Sequence, residues 1–511
     1  MKRSLFAAIL AALAISTAGC VVFHRVQVDQ VIPRDAVAVT SPVKAHLKDG
    51  STVVYANGVT VSGGMLRGVG IRYDVALKQS NNGDSIPLDS VVGMESYQTR
   101  VDRSKTVIVS TLLTAGSVIG GALLAIAVFG SCPTVYSDDG TVEEAELFSN
   151  SIAPLFEARD VDRLRAQPNS QGMLRLELRN EALETHYINH LQLFEVQHAA
   201  DEFVLPDTQG HPVVVRDVRT PADIASRSGQ DLRATLGAPD NNSYRTDRRG
   251  IDNATADDLN DWIDLTAAVP DGADSTTLVF RLRNSLLSTT LLYDVMLGPA
   301  GARAIDWLGS GLARISTAVE LGRWHERRAG LHISVWRDGA YREVTRVPDS
   351  GPISWHDVAA VVPVQKGEKS LRIRLSFLAD QWRIDHVGVA AAERAAAPRV
   401  VPLSNVTGSG TESAALENMN APDDRYLQTN PGERFFADFN TGAAKAGESR
   451  TFLLSSQGYY TEWIRGAWIK TASAKEPFTP TDQAIVVALQ KWAATRESFE
   501  ARFVRDRVPV H

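Results

Sequence analysis

From Thr106 to Gly130 the chain carries no charged residue and is rich in Val, Leu, Ile and Ala. A stretch of that kind cannot stay in water as an exposed helix. As a helix it is about 37 Å long at 1.5 Å per residue, enough to cross the roughly 30 Å apolar core of a bilayer. Gly116 and Gly120 form a small-xxx-small pair, as do Ser117, Gly121 and Ala125. In lipid such pairs let a second helix approach closely, so a homo-oligomer is one expected partner. A hydrophobic helix or hairpin buried inside protein is the competing explanation.

The first twenty residues narrow the setting. Lys2 and Arg3 precede an apolar run from Leu5 to Ile15, and Thr17-Ala18-Gly19-Cys20 closes it with small residues. The run is too short to span a membrane and has the three regions of an export signal. Its ending resembles the lipobox of bacterial lipoproteins, with Thr17 where that family usually has Leu. The resemblance implies lipid attachment at Cys20, which would become the first mature residue; cleavage nearby that leaves a plain thiol is the alternative. Val21 in place of Asp implies the outer membrane. A lipid on Cys20 puts the N-terminal side of 106–130 outside, whereas Arg100, Arg103 and Lys105 before it would put that side in the cytoplasm. The export signal is the stronger of the two, so 106–130 reads as an interfacial, oligomer-packed or same-membrane element.

The chain as a whole has a globular composition, 44% hydrophobic and 22% charged, which argues against general disorder. Two cysteines exclude a disulfide-stapled fold. A formal net charge of −7 with no basic stripe gives nucleic acid no footprint.

Alternating segments punctuated by Gly, Asn and Asp predict an α+β, mainly β chain. Seven parts are expected: signal peptide 1–19; lipid attachment and a small β domain 20–104; hydrophobic helix 105–130; a β-rich domain with a long polar loop 131–297; a helical connector 298–330; a β-sandwich-like domain 331–475; and a C-terminal helix 476–511. Ser285 to Leu297 reads as a helix stopped by Gly298-Pro299, and 218–260 as the polar loop. Leu371-Arg372-Ile373-Arg374-Leu375 has one core face and one wet face. The succession of strands suits a jelly-roll sandwich of the sort found in many carbohydrate-binding modules, a likeness of pattern alone. Ile485, Val486, Leu489 and Trp492 form one apolar stripe on the last helix.

After the hydrophobic segment come Ser131-Cys132-Pro133-Thr134-Val135-Tyr136, an acidic stretch, and Asn180-Glu181-Ala182-Leu183-Glu184. Over roughly 20–215 this order resembles a group of uncharacterised bacterial lipoproteins. The resemblance implies a shared architecture and carries no catalytic residue across.

No nucleophile elbow, phosphate loop, dinucleotide fingerprint or metalloprotease motif occurs. Asp138-Asp139-Gly140 is first a turn, and Glu157, Asp160 and Asp162 lack the spacing of a calcium loop. His186, His190 and His198 share strand parity but read as solvated or hydrogen-bonded surface residues, so neither metal nor cofactor is expected. Aromatics gather late, at Trp336, Trp355, Trp382, Tyr459, Tyr460, Trp463 and Trp468. An exposed subset would stack on sugar rings or contact an envelope protein; the alternative is that most are core. The leading expectation is a cell-envelope binding or scaffold lipoprotein, without enzymatic activity, held to the membrane by lipid and helix. An envelope hydrolase using dispersed carboxylates is the alternative. A flat aromatic face favours the first and a concave acid-lined pocket the second.

Overall fold

The structure is a computed structural model of the chain. It describes residues 22–29, 37–39, 43–47, 49, 51–73, 79–80, 82–100, 133–149, 151–152, 156–182, 184–270, 272–303, 315–395, 398–408, 414–444, 447, 449–462, 481–505 and 510. Cys20, Cys132, Trp463, Trp468 and the segment 106–130, with Gly116, Ser117, Gly120, Gly121 and Ala125, lie outside the described residues. Among the described residues no helix is long and apolar enough to cross a membrane. The chain is mainly β, as its alternating segments predict.

Residues 22–100 form two small antiparallel sheets, of six and four strands. The alternating segments Val43–Leu47 and Thr52–Tyr55 pair in register, burying Val43, Ala45, Val53 and Tyr55.

The body holds a nine-stranded antiparallel sheet and a β-sandwich inserted into it. The large sheet takes strands from both ends of the body: Thr134–Ser137, Val142–Glu146, Ala158–Arg163, Met173–Arg179 and Glu184–His198 from the first half, and Arg399–Gly408, Leu427–Thr429, Arg434–Asn440 and Ser449–Glu462 from the second. Its spine is Glu184–His198 paired along its length with Ser449–Glu462.

Between those halves, residues 203–394 make the sandwich. One sheet runs Pro212–Arg219, Trp382–Arg394, Ser275–Asn284, His356–Pro363, with Phe203–Pro206 added at the first edge. The other runs Asn260–Ala268, Ser370–Leu378, Leu331–Arg337, Ala340–Val347, with Asp223–Ser226 added. Among the eight main strands the chain crosses from sheet to sheet at every connection except the hairpin at Asp338-Gly339, which is the jelly-roll order. Alternation explains the layer between: Ile263, Leu265, Ile333, Val335, Ile373 and Leu375 point inward to meet Leu278, Phe280, Leu282 and Ile384. Each such side chain stabilises the fold by about 1.5–3 kcal/mol on burial.

Three expectations are corrected here. The sandwich is not divided from what precedes it at Leu331, because three of its eight main strands and both added edge strands come earlier in the chain, and the strands from Leu427 to Glu462 belong to the large sheet. Residues 218–260 are more than a polar loop, since Ile224, Leu232, Leu236 and Ile251 are buried and anchor a strand and two short helical turns. The expected helix at 285–297 is a short α turn, Leu287–Thr290, that widens into a π-helix over Leu291–Leu297 and passes through Pro299 as a 3-10 turn, Gly298–Arg303. Proline sits near the start of that last turn, where its missing N–H is least costly.

The last helix, Asp482–Arg505, forms as its stripe predicts, with Ile485, Val486, Leu489 and Trp492 all buried. It is pinned to the sandwich by Trp492, whose Nε1 donates to Asp380 Oδ2 at 2.6 Å, and by Arg496, which pairs with the same oxygen at 3.2 Å.

Candidate functional site

Of the seven aromatics offered for a binding face, the five among the described residues do not come together. Trp382 is fully buried because it points to the inner face of its sheet, into the layer between the two sheets. Tyr460 is fully buried and donates its hydroxyl to Ser149 O at 3.1 Å, and Tyr459 is buried, stacked on Tyr187 at 4.6 Å. Trp355 is half-buried beside the guanidinium groups of Arg281 and Arg283. Trp336 alone of the described five is exposed, at 39%.

Trp336 belongs to a different group, on the outer face of the sandwich's second sheet. Strand alternation that sends Ile263, Ile373 and Val335 inward sends Trp262, Asp264, Arg372, Arg374 and Trp336 outward. Trp336 packs edge-on to Tyr341 across the hairpin, ring centroids 5.0 Å apart. Arg372 lies 5.2 Å from the Trp336 ring. Arg374 sits between Tyr341, at 4.2 Å, and Trp262, at 4.5 Å, and Arg227 lies 4.4 Å from Trp262. Such cation–π contacts hold each ring at a fixed angle on the sheet.

Carboxylates set the arginines. Asp264 accepts both arms of Arg374 at 2.8 Å and the Tyr341 hydroxyl at 3.2 Å. Asp258 accepts from Arg227 at 3.0 Å, and that bond holds its carboxyl below the usual range. Burial, reinforced by Asp264, pushes the Tyr341 hydroxyl up, so it stays a donor at neutral pH. Arg372 is exposed and makes no ion pair among the described residues. The face therefore offers flat apolar rings, fixed donors and one guanidinium without an ion pair among the described residues, the chemistry that packs on sugar rings and binds their polar edges.

Trp262, Tyr341, Arg227 and Asp264 were not among the sequence candidates. The signal was there: Asp261-Trp262-Ile263-Asp264-Leu265 alternates as Leu371 to Leu375 does, and two in-phase strands place their wet residues on one surface.

The dispersed carboxylates meet elsewhere, where the large sheet abuts the sandwich. Asp162 Oδ1 lies 2.7 Å from His356 Nδ1, and Glu146 Oε2 lies 3.6 Å from the other ring nitrogen. Glu146 also accepts the backbone N–H groups of Ile353 and Ser354, at 3.0 and 2.8 Å. A Cβ at Gly351 would fall 2.1 Å from that carboxylate, so only glycine lets the loop come this close. Burial alone would lower the His356 pKa, but Asp162 and Glu146 outweigh it and hold the ring well above its ordinary value. Burial and the neighbouring Asp162 push Asp160 up to about 7.

The three histidines taken as surface residues also separate. His186 is buried, 3.3 Å from Glu184, and a bulge between Ile188 and His190 puts the later two out of phase with it. His198 bonds Thr451 at 2.9 Å. The two segments that carry the lipoprotein-group resemblance do touch: Tyr136 donates to Glu181 at 2.7 Å. Asp138-Asp139-Gly140 is a hairpin turn, with Asp139 accepting from Ser137 and Thr141.

No protein-family model matches the chain, and no curated protein matches it. Solved structures that align with it include infectious bursal disease virus, Gt strain, at 11% identity over 97% of this chain and 99% of that chain, with a TM-score of 0.11. The Gx strain of the same virus aligns at 9% identity over 95% and 91%, with a TM-score of 0.10. Neither score reaches the level of a shared fold.

Proposed function

We propose that this chain is a lipid-anchored envelope protein that binds polysaccharide through the outer face of its jelly roll. One observation carries the reading: Trp262, Tyr341 and Trp336 stand on a single sheet face, each held by an arginine. Rings fixed before a ligand arrives lose little freedom on binding, which favours a flat polymer over a mobile partner. Arg372, with no carboxylate of its own, would take a glycan hydroxyl or acid group. The export signal and Cys20 would tether this face at the outer membrane, within reach of envelope glycans. An envelope hydrolase would need Glu146, Asp160 and Asp162, and these lie at the junction of sandwich and large sheet, away from the aromatic face.

The test is retention of the detergent-solubilised full chain on purified envelope polysaccharide, with reducing ends assayed in the eluate. Retention without new reducing ends supports binding. Absence of retention, or release of reducing ends, contradicts it.

A further inference from the structure

A cavity of about 310 Å³ lies where the edge strand Ala158–Arg163 of the large sheet meets the edge strand His356–Pro363 of the jelly roll. Asp160, Asp162, Asp207, Asp349, His325 and His356 line it. The carboxyl groups are not equivalent. Asp162 is matched by His356. Asp207 accepts the backbone N–H groups of Gln209 and His211, both at 2.8 Å. Asp160 accepts only the Val161 N–H, at 2.9 Å, and makes no ion pair among the described residues. Asp349 Oδ1 takes three N–H donors, from Asn284, Gly330 and Gln381, at 3.1, 3.0 and 2.7 Å, none of them a formal cation.

His325 supplies an independent observation. It is 6% exposed, lines the same cavity, and neither ring nitrogen has a hydrogen-bond partner among the described residues. Buried polar groups are rarely left so, because desolvation without a partner is costly. Burial, with Arg346 and His332 nearby, holds its pKa down to about 3, so the ring is neutral and keeps an acceptor nitrogen. The wall thus offers a neutral acceptor and a carboxyl group without a direct ion pair among the described residues, in a volume for about ten non-hydrogen atoms at about 30 Å³ per water.

We propose that this cavity binds a small primary amine, with Asp160 as the anionic contact and His325 as a neutral acceptor. His356 pairs directly with Asp162 and not with Asp160, and an ammonium group supplies Asp160 with a cation in contact. A neutral sugar leaves Asp160 without one.

Titration calorimetry on the detergent-solubilised full chain tests this with 1,4-diaminobutane and n-butylamine, and N-acetylglucosamine as the uncharged comparison. Both amines bind near pH 7.5, and the sugar does not. Affinity falls roughly ten-fold or more near pH 5.5, where Asp160 holds its proton. Near pH 6.5 the heat differs between buffers of different ionisation enthalpy, because bound ammonium drives a proton from Asp160. Asp160→Asn weakens the amines about ten-fold or more. Should that variant fail to fold, Thr208→Trp, on the turn that lines the cavity, blocks binding from the rim. No heat at roughly millimolar amine, equal binding of the sugar, or affinity untouched by pH and by a folded Asp160→Asn overturns the proposal.

Discussion

Asp162 and His356 stand 194 residues apart in the chain, yet Oδ1 and Nδ1 are 2.7 Å apart where the large sheet meets the sandwich. The imidazole answers two buried carboxylates, Asp162 and Glu146. Replacing His356 by Ala therefore leaves two buried charges facing each other. A loss on the order of 3–5 kcal/mol is expected, read as a lower chemical-denaturation midpoint. A midpoint within experimental error of wild type would contradict this account of the junction.

The same group sets a pH dependence. His356 has a folded pKa well above its unfolded value near 6.5, so its contribution is complete below that value and fades as pH rises through the folded one. Asp160, raised to about 7, holds a proton in the folded state that the unfolded chain has already released. Between the unfolded value of about 3.9 and the folded one, that difference makes stability fall as pH rises. Thermal midpoints should thus decline from about pH 5 to 8, and Asp160→Asn should flatten the decline below about pH 7. An unchanged slope in the variant would remove Asp160 from the explanation.

Strand pairing predicts which piece of the chain folds alone. Residues 203–394 contain all the strands of both jelly-roll sheets. A fragment from 331 onward keeps Trp382–Arg394 without Ser275–Asn284 and Pro212–Arg219, the neighbours on either side of it. The 203–394 fragment should give a cooperative thermal transition, and 331–511 should aggregate or remain unfolded. Circular dichroism melts of the two settle the matter, and a cooperative 331–511 would contradict the domain assignment.

The alternation at Leu371 to Leu375 correctly told which residues would be wet, and Arg372 and Arg374 are on the outer face. The stripe Ile485, Val486, Leu489, Trp492 located the last helix to its first turn. What alternation does not carry is partner choice. Trp382 and Trp336 both sit in strands flanked on either side, but one points into the layer between the sheets while the other points to solvent. Partner choice in an antiparallel sheet depends on contacts far apart in the chain, as between Glu184–His198 and Ser449–Glu462. For the same reason Trp262 and Trp336 looked unrelated, although Arg374 and Tyr341 connect them in a group that spans four strands.

Anchoring is tested at Cys20. Cys20→Ser should abolish metabolic labelling with a fatty-acid analogue and leave the precursor uncleaved or the chain released from membranes. Labelling that persists in the variant would rule out Cys20 as the lipid site.

The central claim is that the Trp262–Tyr341–Trp336 face holds polysaccharide, and affinity electrophoresis of the full chain through gels cast with envelope polysaccharide tests it most directly. Wild type should be retarded, and Trp262→Ala with Trp336→Ala should weaken binding about ten-fold or more, since ring contacts at the centre of such a face cost upwards of about 1 kcal/mol each when removed. Both rings lie on the wet side of their strands, so the double variant should keep the wild-type melting profile. Equal retardation of wild type and a folded double variant would contradict the claim.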